Sequence, residues 1–185
     1  MLRCFTQNID GLERLAGVPP DRIVAAHGSF DSATCLATGE KVNVDEVRNA
    51  IMVGKEGWQA LAQRHGGLVK PDIVFFGEGL PKRFFKQRAA DLPQCRLLLV
   101  IGTSLAVFPF ASLPDEVDST CARVLINREP VGFLNHGPSP MDKALGLDFL
   151  VGDRDVGLLG DCDEQVLLLA RELGWEKELM QLRDA

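Results

Sequence analysis

The chain has 185 residues, 46% of them hydrophobic and 25% charged, with a net charge of −6. That length allows one domain with a real core and is short for two. The acidic balance argues against DNA or RNA as the main partner and suits a basic peptide better.

In chain order, residues 2–6 form a short apolar run that reads as a strand. Residues 11–17 read as a short helix closed by Gly17, and Val18-Pro19-Pro20-Asp21 as a turn. Residues 23–26 are a second short strand, ending at His27-Gly28. Residues 31–70 have the texture of a small insert. Within it, residues 45–53 space Val47, Ala50 and Ile51 for one helical face, and Gly54, Gly57, Gly66 and Gly67 make the remainder loop-like. Residues 71–77 return to a core strand, and residues 84–90 read as a helix. Residues 95–102 are a nearly continuous apolar run ending in glycine, the pattern of a strand buried on both faces of a parallel sheet. Residues 123–127 repeat it, and residues 147–151 are a weaker candidate strand. Gly137-Pro138-Ser139-Pro140 reads as a loop. Residues 161–173 form an amphipathic helix that residues 176–183 extend past Gly174. Strands alternating with helices give an α/β layered fold around a parallel sheet, with flanking helices and a small inserted subdomain.

The five cysteines, Cys4, Cys35, Cys95, Cys121 and Cys162, contain no Cys-x-x-Cys pair. They read as reduced thiols and not as a disulfide framework. No apolar run reaches the ~20 residues of a membrane-spanning helix, and no signal-peptide pattern opens the chain. Cytoplasm, nucleus or both is the expected compartment.

Ligands of open parallel sheets bind at the carboxyl ends of strands. Gln7, Asn8 and Asp10 follow the first strand and His27 the second. Phe75, Phe76 and Gly77 end the third, Gly102, Thr103 and Ser104 the fourth, and Asn127, Arg128 and Glu129 the fifth. Each alone has a plain structural reading, as a turn, a cap or a core side chain. Their shared position is what points to a site.

Five ordered blocks carry a family resemblance: Thr6-Gln7-Asn8-Ile9-Asp10-Gly11-Leu12-Glu13, Ala26-His27-Gly28-Ser29-Phe30, Lys70-Pro71-Asp72-Ile73-Val74-Phe75-Phe76-Gly77-Glu78, Gly102-Thr103-Ser104-Leu105 and Ile126-Asn127-Arg128-Glu129. In order and spacing they resemble the signature blocks of sirtuins. Leu173-Gly174-Trp175-Glu176-Lys177-Glu178-Leu179 resembles the tail of the sirtuin-2 branch. The resemblance implies a Rossmann-like sheet and NAD as co-substrate in protein-lysine deacylation, with nicotinamide and O-acyl-ADP-ribose as products. It implies His27 as general base, a role that suits an imidazole titrating near neutrality. Gln7, Asn8 and Asp10 match nicotinamide and ribose contacts. Gly102, Thr103 and Ser104 match the phosphate and ribose region, and Asn127, Arg128 and Glu129 the adenosine ribose. Cys162 resembles part of an adenine-side loop. Val74, Phe75, Phe76 and Gly77 match the strand that pairs with a substrate peptide, with one phenylalanine expected in ordinary core packing.

Two departures from the family pattern stand out. Sirtuins carry two cysteine pairs in the interval that here holds only Cys35 and His65 as candidate ligands. A structural zinc needs about four ligands, so zinc is expected to be weak or absent and the insert to hold itself by packing. The family also opens with a Gly-Ala-Gly phosphate loop and a Pro-Asp-Phe-Arg segment, neither of which is in this sequence. Residues 1–185 are therefore expected to be the C-terminal part of a sirtuin-type catalytic domain, with residues 31–70 a degenerate zinc-module-like insert. The expected function is NAD-dependent protein deacetylation, incomplete in this chain. A non-catalytic peptide- or NAD-binding remnant and a protein ADP-ribosyltransferase are the alternatives. Acyl-lysine proteins, such as histones or tubulin by family, are the expected partners, with no direct nucleic acid and no membrane. The sequence leaves the oligomeric state open.

Overall fold

A computed structural model describes residues 1–132, 146–149 and 153–184. The chain divides into two compact units, Met1–Ala89 and Ala90–Ala185.

In the first unit, β1 (Cys4–Thr6) pairs in parallel with β2 (Ile23–Ala25), and Phe5 lies opposite Val24. The crossover between them carries α1 (Leu12–Leu15) and a 3-10 turn at Pro20–Arg22. The chain then builds an antiparallel sheet, in order β4-β3-β5, from β3 (Gly28–Cys35), β4 (Lys41–Val42) and β5 (Val69–Ile73). Between β4 and β5 run α2 (Val44–Val53) and α3 (Lys55–His65). The Asn43 side chain caps α2 by accepting from the Asp45 N–H at 2.7 Å.

The existence of α3 corrects the loop-like reading of residues 54–67. Its glycine is there for packing. A Cβ on Gly57 would lie 2.4 Å from the Ala50 carbonyl oxygen of α2, so only glycine lets the two helices approach this closely. The module has its own core of Ala33, Cys35, Val42, Val47, Ala50, Leu61 and Val69, with Trp58 packed against it. Residues 71–77 are also corrected. The strand covers Val69–Ile73 and pairs antiparallel with β3, and the chain turns at Phe76 and Gly77, where the Glu78 N–H donates to the Phe75 carbonyl at 2.9 Å. It is therefore not a strand of a parallel sheet. Helix α4 (Lys82–Asp91) buries Phe84 completely, with its ring edge-on to Phe5 of β1 at 6.1 Å.

The second unit is a parallel sheet in order β6-β7-β8, formed by β6 (Leu97–Ile101), β7 (Ala122–Asn127) and β8 (Asp155–Leu159). The middle strand buries Leu125 and Ile126 fully. Along β6, Leu97, Leu99 and Ile101 are exposed within this unit, which corrects the expectation of burial on both faces. The apolar run alone does not distinguish an outer strand of a ladder from a central one. Strand β8 was not expected. The candidate strand at 147–151 has only Leu147–Asp148–Phe149 among the described residues, and Leu147 packs into the core with Val100 and Leu125. The loop at Gly137–Pro140 lies outside the described residues. Helix α5 (Cys162–Glu172) packs on β7, and α6 (Glu176–Arg183) follows after Gly174. Asp161 caps α5 by accepting from the Asp163 N–H at 3.0 Å.

Among the described residues of this unit a buried charged pair stands out. Arg123 on β7 is 2% exposed and donates to both carboxylate oxygens of Asp155 on β8, at 2.7 and 2.5 Å. Its remaining donors reach the carbonyls of Pro114 and Gly146. Among the described residues no helix is long and apolar enough to cross a membrane.

Candidate functional site

In the first unit, the carboxyl ends of β1 and β2 bring Gln7 and His27 together. The Ala26 N–H donates to the Thr6 carbonyl at 2.8 Å, extending the parallel ladder to the point where the two loops diverge. His27 is half-buried, and its Nδ1 lies 2.8 Å from the Gln7 carbonyl oxygen. A carbonyl only accepts, so Nδ1 carries the hydrogen. In the neutral ring the basic lone pair is then on Nε2.

The backbone ties His27 to the following block as well. The Val74 N–H donates to the His27 carbonyl at 2.8 Å. A Cβ on Gly28 would fall 1.9 Å from the Asp72 carbonyl oxygen, so glycine after His27 is what permits this approach.

Asn8 and Asp10 are exposed and locally bonded. The Asn8 N–H donates to Thr6 Oγ1 at 3.1 Å, and Asp10 Oδ1 accepts from the Leu12 N–H at 3.1 Å at the start of α1. A cavity of about 230 Å³ in this unit is lined by Thr6, Asn8, Gly11, Glu13, Ser29 and Arg83 among others. Gln7 and His27 do not line it, so the cavity and the imidazole are separate features.

The turn after β5 is held by two side chains to which the sequence assigned no role of their own, Lys70 and Glu78 at the ends of the third block. Lys70 Nζ donates to the Ile73 carbonyl at 2.5 Å and to Glu78 Oε2 at 2.9 Å, and it sits 4.3 Å from the Phe75 ring centre. Glu78 Oε2 also accepts from the Phe75 N–H at 2.9 Å. That backbone bond, then the Lys70 bond, holds the Glu78 carboxyl below its ordinary value. Opposite charges bracketing the block were the available signal. Phe75 and Phe76 are both exposed, Phe76 fully, so neither packs in this unit's core as expected for one of them.

Cys35 and His65 are neighbours, yet not in a ligand arrangement. The Cys35 thiol donates to the His65 backbone carbonyl at 3.4 Å, while His65 Nε2 faces Glu46 at 3.3 Å. Cys35 is fully buried among apolar side chains. Among the described residues no three His, Cys, Asp or Glu side chains are grouped to hold a metal.

In the second unit, the carboxyl ends of β6 and β7 meet the start of α5. The Gly102 N–H donates to the Ile126 carbonyl at 3.0 Å, and the Cys162 thiol points at the same carbonyl at 3.6 Å. The Gly160 N–H donates to the Asn127 carbonyl at 2.9 Å. Gly102, Asn127 and Cys162 are thereby brought to one edge. Thr103 Oγ1 accepts from the Leu105 N–H at 3.1 Å, and Ser104 is exposed. Asn127 Nδ2 donates to the Glu129 carbonyl at 2.8 Å. Arg128 pairs with Asp161 at 3.2 Å.

The Sir2 family profile matches residues 1–109. The chain belongs to the Sir2 family. Its similarity to individual members runs further along the sequence. It is 46% identical over 182 residues to the NAD-dependent protein deacetylase hst2 of Schizosaccharomyces pombe, covering 98% of this chain and 49% of that protein. It is 43% identical over 184 residues to the NAD-dependent protein deacetylase sirtuin-2 of Danio rerio, covering 97% and 48%. It is 49% identical over 183 residues to the NAD-dependent protein deacetylase hst2-1 of Emericella nidulans, covering 98% and 45%. The chain thus spans about half the length of the curated relatives it matches.

Proposed function

We propose that this Sir2-family chain carries the base and part of the NAD site of an NAD-dependent protein-lysine deacetylase. The observation that carries the reading is the Gln7–His27 contact, because it fixes the tautomer a general base requires. With Nδ1–H held by the Gln7 carbonyl, His27 accepts a proton at Nε2 and the resulting imidazolium keeps its carbonyl partner. NAD, when bound, supplies the ribose hydroxyl to be deprotonated and the leaving nicotinamide.

The donor set fits such a co-substrate. Gln7, Asn8 and Asp10 offer amides and a carboxylate for a carboxamide and a diol. Gly102, Thr103 and Ser104, with Asn127, Arg128, Glu129 and Cys162, offer the amides, hydroxyls and charge suited to phosphate and the second ribose. Val74, Phe75, Phe76 and Gly77 hold the substrate peptide, with the exposed rings as the apolar wall for an acyl-lysine stem. Their backbone follows a turn, so pairing with an extended peptide rests on few residues. Acyl-lysine proteins are the substrates, histones or tubulin among them, in cytoplasm, nucleus or both. The insert, degenerate as a zinc module, holds itself without tightly bound zinc.

The relatives' names favour deacetylation over ADP-ribosyl transfer and over a non-catalytic role. The purified chain is incubated with NAD and an acetyl-lysine peptide, and nicotinamide and deacetylated peptide are followed by mass spectrometry. Release of both, lost in His27→Ala, supports the enzyme reading. A folded chain that releases neither overturns activity of this chain by itself, and nicotinamide release with ADP-ribosylated protein instead assigns the transferase.

A further inference from the structure

Lys70 and Glu78 flank the residues read as the peptide site and hold its backbone between them. Lys70 lies on β5, and Glu78 follows the turn at Phe76 and Gly77. The Lys70 side chain is 16% exposed. An ammonium has three N–H donors. Lys70 Nζ donates to the Ile73 carbonyl at 2.5 Å and to Glu78 Oε2 at 2.9 Å, and its charge lies 4.3 Å from the Phe75 ring centre. Glu78 grips Phe75 from the other side. Its Oε2 accepts from the Phe75 N–H and its own N–H donates to the Phe75 carbonyl, both at 2.9 Å.

These bonds converge on Val74. The peptide group before it is tied twice, by Lys70 at the Ile73 carbonyl and by the His27 carbonyl at the Val74 N–H, 2.8 Å away. The peptide group after it is tied by Glu78 at the Phe75 N–H. Two of the three ties come from charged side chains. Burial does not supply the order instead, because Phe75 and Phe76 are exposed in this unit. Gly77, at a φ of 86° with open space around it, adds backbone freedom where the chain turns.

We propose that Lys70 and Glu78 are positioning residues for peptide capture, a clamp that holds the peptide groups around Val74 and the Phe75 ring in the orientation that receives an acyl-lysine peptide. The clamp deepens the peptide-binding reading of Val74, Phe75, Phe76 and Gly77 and rests on it. Recognition through the main chain depends on the direction of the peptide groups. A segment ordered in advance loses less conformational entropy when the peptide arrives. The Lys70 ammonium has its donors engaged inside the clamp, so it acts through the backbone it holds. The Phe75 N–H, then Lys70, keep the Glu78 carboxyl below its ordinary value, so the acceptor stays an anion near neutrality.

A fluorescein-labelled acetyl-lysine peptide is titrated with the full chain and followed by anisotropy, with the unacetylated peptide as reference. Glu78→Ala should weaken binding roughly tenfold. Glu78→Gln, whose amide oxygen still accepts from the Phe75 N–H and from Lys70, should stay within about threefold of wild type. Exchanging the charges, Lys70→Glu with Glu78→Lys, keeps an ion pair but can neither donate to the Ile73 carbonyl nor accept from the Phe75 N–H. It should bind as weakly as Glu78→Ala. Because Lys70 is largely buried and its exchange risks the fold, Glu78→Ala is the decisive variant. Its melting temperature is compared with wild type, and its Phe75 amide should lose protection from hydrogen exchange. Unchanged binding by Glu78→Ala overturns the clamp alone, as does recovery by the charge exchange, which would show that an ion pair suffices. Glu78→Gln as weak as Glu78→Ala also overturns it, since the carboxylate would then act on the peptide directly. A wild-type chain that does not distinguish the acetylated peptide overturns the peptide-binding reading, and the clamp with it.

Discussion

The antiparallel module of residues 28–73 and the parallel sheet β6-β7-β8 solve the same problem in opposite ways. Both are small sheets with few buried side chains. The module interior is apolar throughout, and its one buried cysteine packs as a hydrophobe. The parallel sheet instead encloses a charged pair, Arg123 with Asp155, with its hydrogen bonds met by carbonyls and by the Asp148 N–H. An apolar interior tolerates loss of a contact in proportion to the volume removed. An ion pair in such a place fails abruptly, because removing one partner leaves the other charged and buried.

The largest expected effect therefore belongs to Arg123. Arg123→Met should destabilise the chain by about 3–5 kcal/mol in urea unfolding, while the double variant Arg123→Met/Asp155→Leu should recover most of it. If the double variant is no better than the single one, the loss lies in the Pro114 and Gly146 contacts and not in the orphaned carboxylate. Next comes the apolar module, where Leu61→Ala should cost about 2–4 kcal/mol by the same measurement. A chelator should leave the wild-type melting temperature unchanged, since the module is held by packing. A drop on chelation would reverse the contrast between the two regions.

Acid should distinguish the regions more gently. Burial pushes the Asp155 carboxyl up, but the Arg123 bonds, the Asp148 N–H and the guanidinium charge together hold it below its ordinary value. A depressed folded pKa adds stability above the unfolded value of about 3.9 and loses it as the pH falls through the folded one. Stability should thus decline below about pH 4, and the decline should flatten in the Arg123→Met/Asp155→Leu variant. Asp72 lowers in the same direction: burial raises it, and bonds from Lys41, Ser32 and Thr34 outweigh that. Asp72→Asn should cost about 1 kcal/mol and keep the fold. The smallest effect is at the α2 cap, where Asn43→Ala should cost about 0.5–1 kcal/mol, read as a small fall in the urea midpoint.

The same contrast explains which parts of the molecule could be read from the sequence. The runs at 95–102 and 123–127 were legible because a parallel strand is written as contiguous apolar residues. Helix α5 was legible because Asp161, Asp163 and Glu164 mark its start and its apolar positions repeat at helical spacing. Strand β8 was not, because Asp155 opens it and Gly157 interrupts it. Within the module, four glycines outweighed the helical pattern of residues 55–65. Gly57 turned out to be required by contact with another helix, a reason no local reading contains. Of the candidate site, the blocks around Gln7, His27 and Asn127 were visible as polar residues after apolar runs.

The sequence by itself determined the family, the α/β character and the place of an imidazole at the end of the second strand. Local pattern and ordered motifs suffice for those, since neither depends on what else a residue touches. Only the tertiary structure decided which nitrogen of His27 carries the lone pair, because that depends on a carbonyl 20 positions earlier in the chain. It alone showed that the chain turns at Phe76 and Gly77 where a strand was expected, because Lys70 and Glu78 hold the turn from either side. It alone set Leu97 level with Ala122, since a register between parallel strands is fixed by the packing of the sheet and is not written in either strand.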